Sequence, residues 1–332
     1  MVNLKLETSI LIISFIIAVI LGIIIIPILR KLKVGQIERD DGPQSHLKKQ
    51  GTPTMGGIIM IIAMILVITG IYIFLTANNQ GEIANKLLPI LLLTLGFGLI
   101  GFIDDFKKLV LRNTKGLKPS YKMLGLLVIS VAYVIYLVYG LHIGTDTYIP
   151  ILKQYITMPI YLYIPFAIIV ILATTNAVNL TDGIDGLASS VSAIILTCLT
   201  VIGIMIGRPE ISVFGSIVIG AVLGFLMFNL HPAKVFMGDT GSLALGAVMG
   251  AIAILTHREL TLLVVASIFV VETLSVILQT FWVVVFKKKL FLMTPLHHHF
   301  EKLGWCETDI VKLFWVLGLV LAMAGIIFGV WV

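Results

Sequence analysis

Residues Ile100 to Lys108, IGFIDDFKK, carry an apolar run into two adjacent carboxylates, Asp104 and Asp105, and then two lysines. Neighbouring carboxylates at the water end of a membrane helix repel each other, which points to a bound cation or a proton-handling role. The alternative is a polar stop that ends the helix, although lysine or arginine is the more usual residue there. The connection from Asp104 to Lys122, DDFKKLVLRNTKGLKPSYK, mixes the two acids with six basic residues. Acids that hold a cation beside ammonium groups that neutralise phosphoryl oxygens suit a metal-bridged phosphate site, with Lys107, Lys108 and Lys115 as candidates. Anionic lipid headgroups would attract the same lysines.

Four other polar clusters interrupt the apolar chain. In HLKKQGTPTMGG, His46 to Gly57, Thr52 or Thr54 is predicted to cap a helix with Pro53 at an early helical position, and the free amides beside Lys48 and Lys49 form an anion site. An ordinary basic loop with a good cap explains the same residues. The segment TTNAVNLTDGIDGLASS, Thr174 to Ser190, has no lysine or arginine, so Asn176, Asn179, Asp182 and Asp185 are not charge-balanced surface. Asp182 and Asp185 share a face if the segment is helical, and an Asx-capped turn is the other reading. In HPAKVFMGDTGSLALG, Asp239 is either a helix N-cap or a metal ligand, and Phe236 is either an interfacial aromatic or a platform for a flat ring. The last cluster, MTPLHHHFEKLGWCETD, holds His297, His298 and His299. Consecutive side chains diverge on a helix and alternate on a strand, so three successive histidines do not easily ligate one ion. One or two of them are expected at phosphate or a carboxylate while the rest hold the loop. Within the apolar segments Glu272 stands out, with Gln279 seven residues on and on nearly the same face; it either lines a cavity or bends its helix.

The elements that must position these clusters are membrane helices. The 332 residues are 59% hydrophobic and 12% charged, half the charge of an ordinary soluble domain, and mean hydropathy is +1.10. Ten apolar segments can cross a bilayer, at about 9 to 29, 54 to 75, 87 to 103, 123 to 140, 159 to 175, 187 to 206, 211 to 229, 242 to 256, 262 to 285 and 310 to 332. The predicted fold is an all-α polytopic membrane protein, a single integral membrane catalytic domain over 1 to 332 with both termini outside. One alternating set of connections holds 17 lysines and arginines and the opposite set five, which places the first set in the cytoplasm. All five chemical clusters fall in that set, although orientation came from basic residues alone. The net charge of +6 therefore reflects membrane orientation, and no nucleic-acid partner is expected. Cys198 and Cys306 make neither a disulfide framework nor a metal spacing. Residues 141 to 158 predict a short hairpin on the outer face. The first segment is too long for a signal-peptide core and reads as a retained span.

Carboxylates, histidines and lysines gathered at one membrane face predict an enzyme at the inner leaflet, performing a Mg²⁺-dependent phosphoryl transfer to a lipid phosphate. A secondary transporter is disfavoured, because transporters place ionisable groups near the bilayer midplane.

The blocks KQGTPTMGG, GFIDDFKK, NAVNLTDGIDGLA, VFMGDTGSLALG and MTPLHHHFEKLGW resemble, in order and across essentially the whole chain, those of the phospho-N-acetylmuramoyl-pentapeptide transferases. The paired aspartates and GDTGS also resemble the wider superfamily of polyprenyl-phosphate sugar-1-phosphate transferases, whereas GTPTMGG and HHHFEKLGW point to the muramoyl-pentapeptide branch. The resemblance implies transfer of phospho-MurNAc-pentapeptide from UDP-MurNAc-pentapeptide to undecaprenyl phosphate, giving lipid I and UMP, in a bacterial inner membrane and by a homodimer. A sister transferase using UDP-GlcNAc is the nearer alternative. By the same resemblance Asp104, Asp105, Asp239 and His298 are catalytic, and Asp239 with Asp104 holds Mg²⁺. Asn179, Asp182, Asp185 and Phe236 form the uridine pocket, Lys49, Lys108 and Lys115 hold diphosphate, and His297 and His299 sit by the phosphates or sugar. Thr52, Asn176 and Gln279 complete the implied substrate-binding set.

Overall fold

A bilayer core offers no water to backbone groups, so a chain this apolar satisfies its amides within helices. The computed structural model describes residues 4–32, 51–109 and 116–330; Lys49 and Lys115, together with His46 and Lys48, lie outside them. In chain order the elements are α1 (Leu4–Lys31), α2 (Gly57–Ala77), α3 (Gly81–Leu109), α4 (Pro119–Ile135, prolonged by a π turn to Gly140), β1 (Asp146–Ile149), β2 (Gln154–Thr157), α5 (Ile160–Thr181), α6 (Leu187–Met205), α7 (Pro209–Asn229), α8 (Gly238–Leu255), α9 (Glu259–Val265), α10 (Ser267–Phe286), α11 (Leu296–Lys302) and α12 (Glu307–Val330). Ten of these helices, all but α9 and α11, are long and apolar enough to span a membrane. The expected hairpin is present, with β1 and β2 antiparallel and Asp146 opposite Thr157. Arg258 ties it to the end of α12: its guanidinium stacks 4.0 Å from the Tyr148 ring centroid and its Nε donates to the Gly329 carbonyl at 2.8 Å.

The centre of the bundle is α8. Its apolar window is 89% buried, against 22% for α10, and it packs most extensively against α3 and α5. Its sequence, GDTGSLALGAVMGAIAIL, supplies the small residues that let membrane helices approach closely. The approach is tightest at the end that carries Asp239. A Cβ on Gly101 of α3 would overlap the Asp239 carbonyl, and one on Gly57 of α2 would overlap the Gly241 backbone. Three helices thus converge, backbone on backbone, at the head of α8.

Several boundaries differ from expectation, and each difference moves a functional residue. The α3 helix does not stop at the paired aspartates but continues a full turn beyond them to Leu109, because Asp104 pairs with Lys108 one turn on and Asp105 bonds to another helix. Neither Thr52 nor Thr54 caps α2, whose N-cap is Gly56 with no side-chain cap. The backbone there is already engaged: Phe236 N–H donates to the Pro53 carbonyl and Gly56 N–H to the Phe236 carbonyl, each at 2.8 Å. Most of the segment from Thr174 to Ser190 is helical, within α5 and α6, leaving only 182–186 as a turn. The ninth span is broken at Ala266, between α9 and α10, six residues before Glu272.

Candidate active site

Adjacent residues on a helix point about 100° apart, and the two aspartates of α3 accordingly reach different partners. Asp105 is buried and turns onto the N-terminus of α8. One of its oxygens accepts the Asp239 N–H at 3.1 Å; the other accepts the Thr240 N–H at 2.9 Å and the Thr240 hydroxyl at 2.7 Å. These are amides that a helix leaves unpaired at its start, so Asp105 caps α8 from a different helix. Asp239 is therefore not a side-chain N-cap: it lies in the first turn of α8, and its carboxylate is released for other work.

That carboxylate is the hub of the site. Its Oδ2 lies 3.1 Å from the Lys108 ammonium and 2.7 Å from that of Lys122, and its Oδ1 accepts from the Asn179 amide at 2.8 Å. The same Asn179 nitrogen is 2.9 Å from the Ser242 hydroxyl. Asp104 is also buried; Oδ2 is 2.5 Å from Lys108 Nζ and Oδ1 accepts the Leu117 N–H at 2.6 Å. Lys108 therefore bridges Asp104 and Asp239, a cation held between two carboxylates.

Asp182 stands in the turn after α5 and accepts a backbone hydrogen bond from Gly238, the first residue of α8. Burial, and after it the negative charges of Asp239 and Asp105, push its carboxyl up to about 8. It is thus held toward its protonated form near neutral pH by burial and by the neighbouring carboxylates.

Among the described residues, Asp104, Asp105 and Asp239 offer carboxylate oxygens all within 4.8 Å of one another, a group that could hold a metal ion. The donor chemistry fits a hard divalent cation: all ligands are oxygens, and two of them already converge on a positive centre, the Lys108 ammonium. A second group of this kind is Asp185, His231 and Glu307. There Asp185 accepts the Ala233 N–H at 3.0 Å and lies 3.0 Å from His231 Nδ1, so it joins the turn after α7 to the turn before α6.

The remaining sequence-predicted residues divide by partner. Asp182 and Asp185 do not share a face, because 182–186 is not helical. Phe236 is half-buried beside the acid cluster's helix, in the bridge to Pro53, with Thr52 immediately before that bridge. Asn176 donates back to the Leu172 carbonyl one turn earlier at 2.7 Å. Gln279 is engaged by the loop after α10, accepting from Leu290 and Phe291 N–H at 2.9 Å each. The histidines hold three different positions. His297 is fully buried against Glu272, His298 Nδ1 lies 2.5 Å from Glu301 Oε2, and His299 Nδ1 accepts the Leu292 N–H at 3.1 Å.

Sequence reasoning missed Lys122 and Thr240. Lys122 was only one basic residue among six, but Pro119 at the first turn of α4 signals a helix start that aims its first turn at the site.

Residues 87–257 match the family described as Glycosyl transferase family 4. Over nearly the full chain, the protein is 44% identical to the phospho-N-acetylmuramoyl-pentapeptide-transferase of Halalkalibacterium halodurans, with 97% of each chain covered. The protein of that name from Acetivibrio thermocellus is also 44% identical, over 97% of this chain and 95% of its own, and that from Bacillus subtilis 44% over 96% of each. The chain belongs to the phospho-N-acetylmuramoyl-pentapeptide-transferase family. The Glycosyl transferase family 4 match contains Asp104, Asp105, Asp182 and Asp239 but stops before α11. The acid cluster thus lies within that match, while the histidine helix lies outside it, in the stretch covered by the full-length relatives.

Proposed function

We propose that this chain transfers phospho-MurNAc-pentapeptide from UDP-MurNAc-pentapeptide to undecaprenyl phosphate, forming lipid I and releasing UMP in peptidoglycan synthesis, at the cytoplasmic face of a bacterial inner membrane. The observation that carries this reading is the Asp239 hub, where two ammonium groups and three carboxylates meet at the ends of α3, α4 and α8. Two negatively charged phosphates approach each other only where their charge is neutralised, and this cluster can do so.

Asp104 and Asp239 would hold Mg²⁺, which when bound supplies positive charge to the phosphoryl oxygens. Lys108 and Lys122, now on Asp239, are placed to exchange that carboxylate for phosphoryl oxygens when substrate enters. Asp105 is the less suited general base, since a proton on it would loosen the head of α8, whereas Asp104 faces the Lys108 ammonium that substrate phosphate would draw away. Asp104 is then the carboxylate that takes the remaining proton of undecaprenyl phosphate. The lipid phosphate oxygen attacks the β-phosphorus, the bond from that phosphorus to the bridging oxygen breaks, and UMP leaves. Phe236 would offer a ring face to uracil, with Asn179 and Asp182 as further uridine-side residues. The exposed end of α10, Phe281 to Phe286 followed by Lys287 to Lys289, is apolar on every side and then basic, which suits a polyprenyl chain with its phosphate at the interface.

Purified protein with undecaprenyl phosphate, Mg²⁺ and either UDP-MurNAc-pentapeptide or UDP-GlcNAc tests the proposal through UMP release. Release with the muramoyl substrate is expected; release from neither sugar defeats the enzyme reading, and release from UDP-GlcNAc alone defeats the substrate assignment. A radiolabelled phospho-aspartyl protein formed from UDP-sugar alone would replace single displacement by a covalent route.

A further inference from the structure

Glu272 is a fully buried carboxylate inside a membrane-spanning helix, a position that demands partners. Both oxygens are engaged by one residue. Oε1 accepts the backbone N–H of His297 at 3.1 Å, and Oε2 lies 3.2 Å from His297 Nδ1. His297 is itself fully buried, and its other ring nitrogen faces Gly183, where a Cβ would overlap it. None of the described polar atoms bonds Nε2.

That environment selects one tautomer. With hydrogen on Nδ1 the ring donates to Glu272; with hydrogen on Nε2 a buried N–H would face Gly183 without an acceptor, which is unfavourable. The seat leads directly to the site. Gly183 follows Asp182, whose carboxyl accepts from Gly238 at the head of α8, one residue before Asp239. On the other side the His297 ring packs against that of His298, with centroids 4.2 Å apart.

We infer that Glu272 is a positioning residue for the transferase site: it fixes the ring of His297 beneath Gly183 and so holds α11, with His298, in register with the Asp182 turn. This rests on the transferase reading above. Partners that orient a metal-ligating histidine typically change affinity or activity ten- to a hundredfold when replaced, and a contact that fixes the helix carrying His298 is expected to act on the same scale.

Glu272→Gln keeps the shape and can still accept the His297 N–H, but its amide donates toward Nδ1 and forces the hydrogen onto Nε2. The expected result is a kcat reduced about tenfold or more in protein that still folds, its unfolding temperature lowered by about a few degrees for the unpaired Nε2–H, and a switched imidazole tautomer in the ¹⁵N spectrum of histidine-labelled protein, assigned by loss of the signal in His297→Gln. The double variant Glu272→Gln/His297→Gln should be no slower than the worse single variant, because both act through one contact. Wild-type kcat in Glu272→Gln, an unswitched tautomer, or strictly additive losses would overturn the inference. Should Glu272→Gln not yield folded protein, Gly183→Ala probes the same seat from the other side, and wild-type kcat there overturns it equally. Wild-type protein that releases no UMP would instead defeat the transferase reading, while the tautomer measurement still reports on the Glu272 contact.

Discussion

The two adjacent aspartates of α3 divide their work according to direction. Asp104 shares the Lys108 ammonium with Asp239, whereas Asp105 closes the first turn of α8. Replacing Asp104 by Asn should therefore lower kcat by about a hundredfold or more, the usual scale of a lost proton-transfer group, with a smaller fall in unfolding temperature than at Asp105, because only the Lys108 and Leu117 contacts weaken and α8 stays capped. Replacing Asp105 by Asn should weaken the charge-assisted bonds to two α8 amides and lower stability by about 1.5–3 kcal/mol as well as activity. Thermal unfolding in detergent separates the two; a destabilised Asp104→Asn beside a stable Asp105→Asn would reverse the assignment. Asp182 adds a pH dependence with a definite sign. Its carboxyl is raised to about 8 in the folded chain, so between about pH 4 and that value the folded state binds a proton that the unfolded chain has released. Its contribution to stability is present below the unfolded value and is lost as pH rises to about 8. Unfolding temperature measured across that window should fall more steeply for wild type than for Asp182→Asn, and parallel curves would show that Asp182 does not carry the proton.

At the scale of elements, the site is set by how closely α2, α3 and α5 can press on α8. Gly101→Ala adds one methyl, yet its neighbours are the Asp239 carbonyl and the Thr240 amide, backbone that cannot turn aside. Overpacking of this kind costs about 1–3 kcal/mol, and because it displaces Asp239 it should also abolish most UMP release. Gly70→Ala, which meets open space, is the control and should behave as wild type. The helices themselves were legible, because a bilayer requires long apolar runs and Leu, Ile and Val supplied them. Their ends were less so. The α3 helix passes through Asp104 and Asp105 because partners of Asp105 134 and 135 residues away, and a lysine one turn on from Asp104, receive what sequence alone reads as a stop. The role of Glu272 was equally hidden, since its partner His297 lies 25 residues on and across a loop. Asp239, Asn179 and Asp104 could be nominated by type and setting; that Asp105 caps α8, or that Lys122 completes the hub, depends on non-local packing that no spacing encodes.

At the scale of the whole molecule, five connections that alternate along the chain meet at one end of the bundle. The Pro53 segment bonds Phe236, Asp105 bonds Thr240, Asn179 bonds Asp239, and His297 lies against Gly183. This convergence requires an even number of crossings between successive clusters, which the ten spans provide. The same five connections carry 17 of the 23 lysines and arginines, so the end that bears the acids is the end that the positive-inside rule assigns to the cytoplasm. Two native cysteines make this testable without engineering. Cys306 is exposed between α11 and α12 at the acid-bearing end, and Cys198 is buried within α6. A membrane-impermeant maleimide should leave the protein unlabelled in intact cells and modify Cys306 in inside-out vesicles, with Cys198 silent in both. Labelling of Cys306 in intact cells would turn the molecule over, and with it the side from which a nucleotide-linked sugar could reach Asp239.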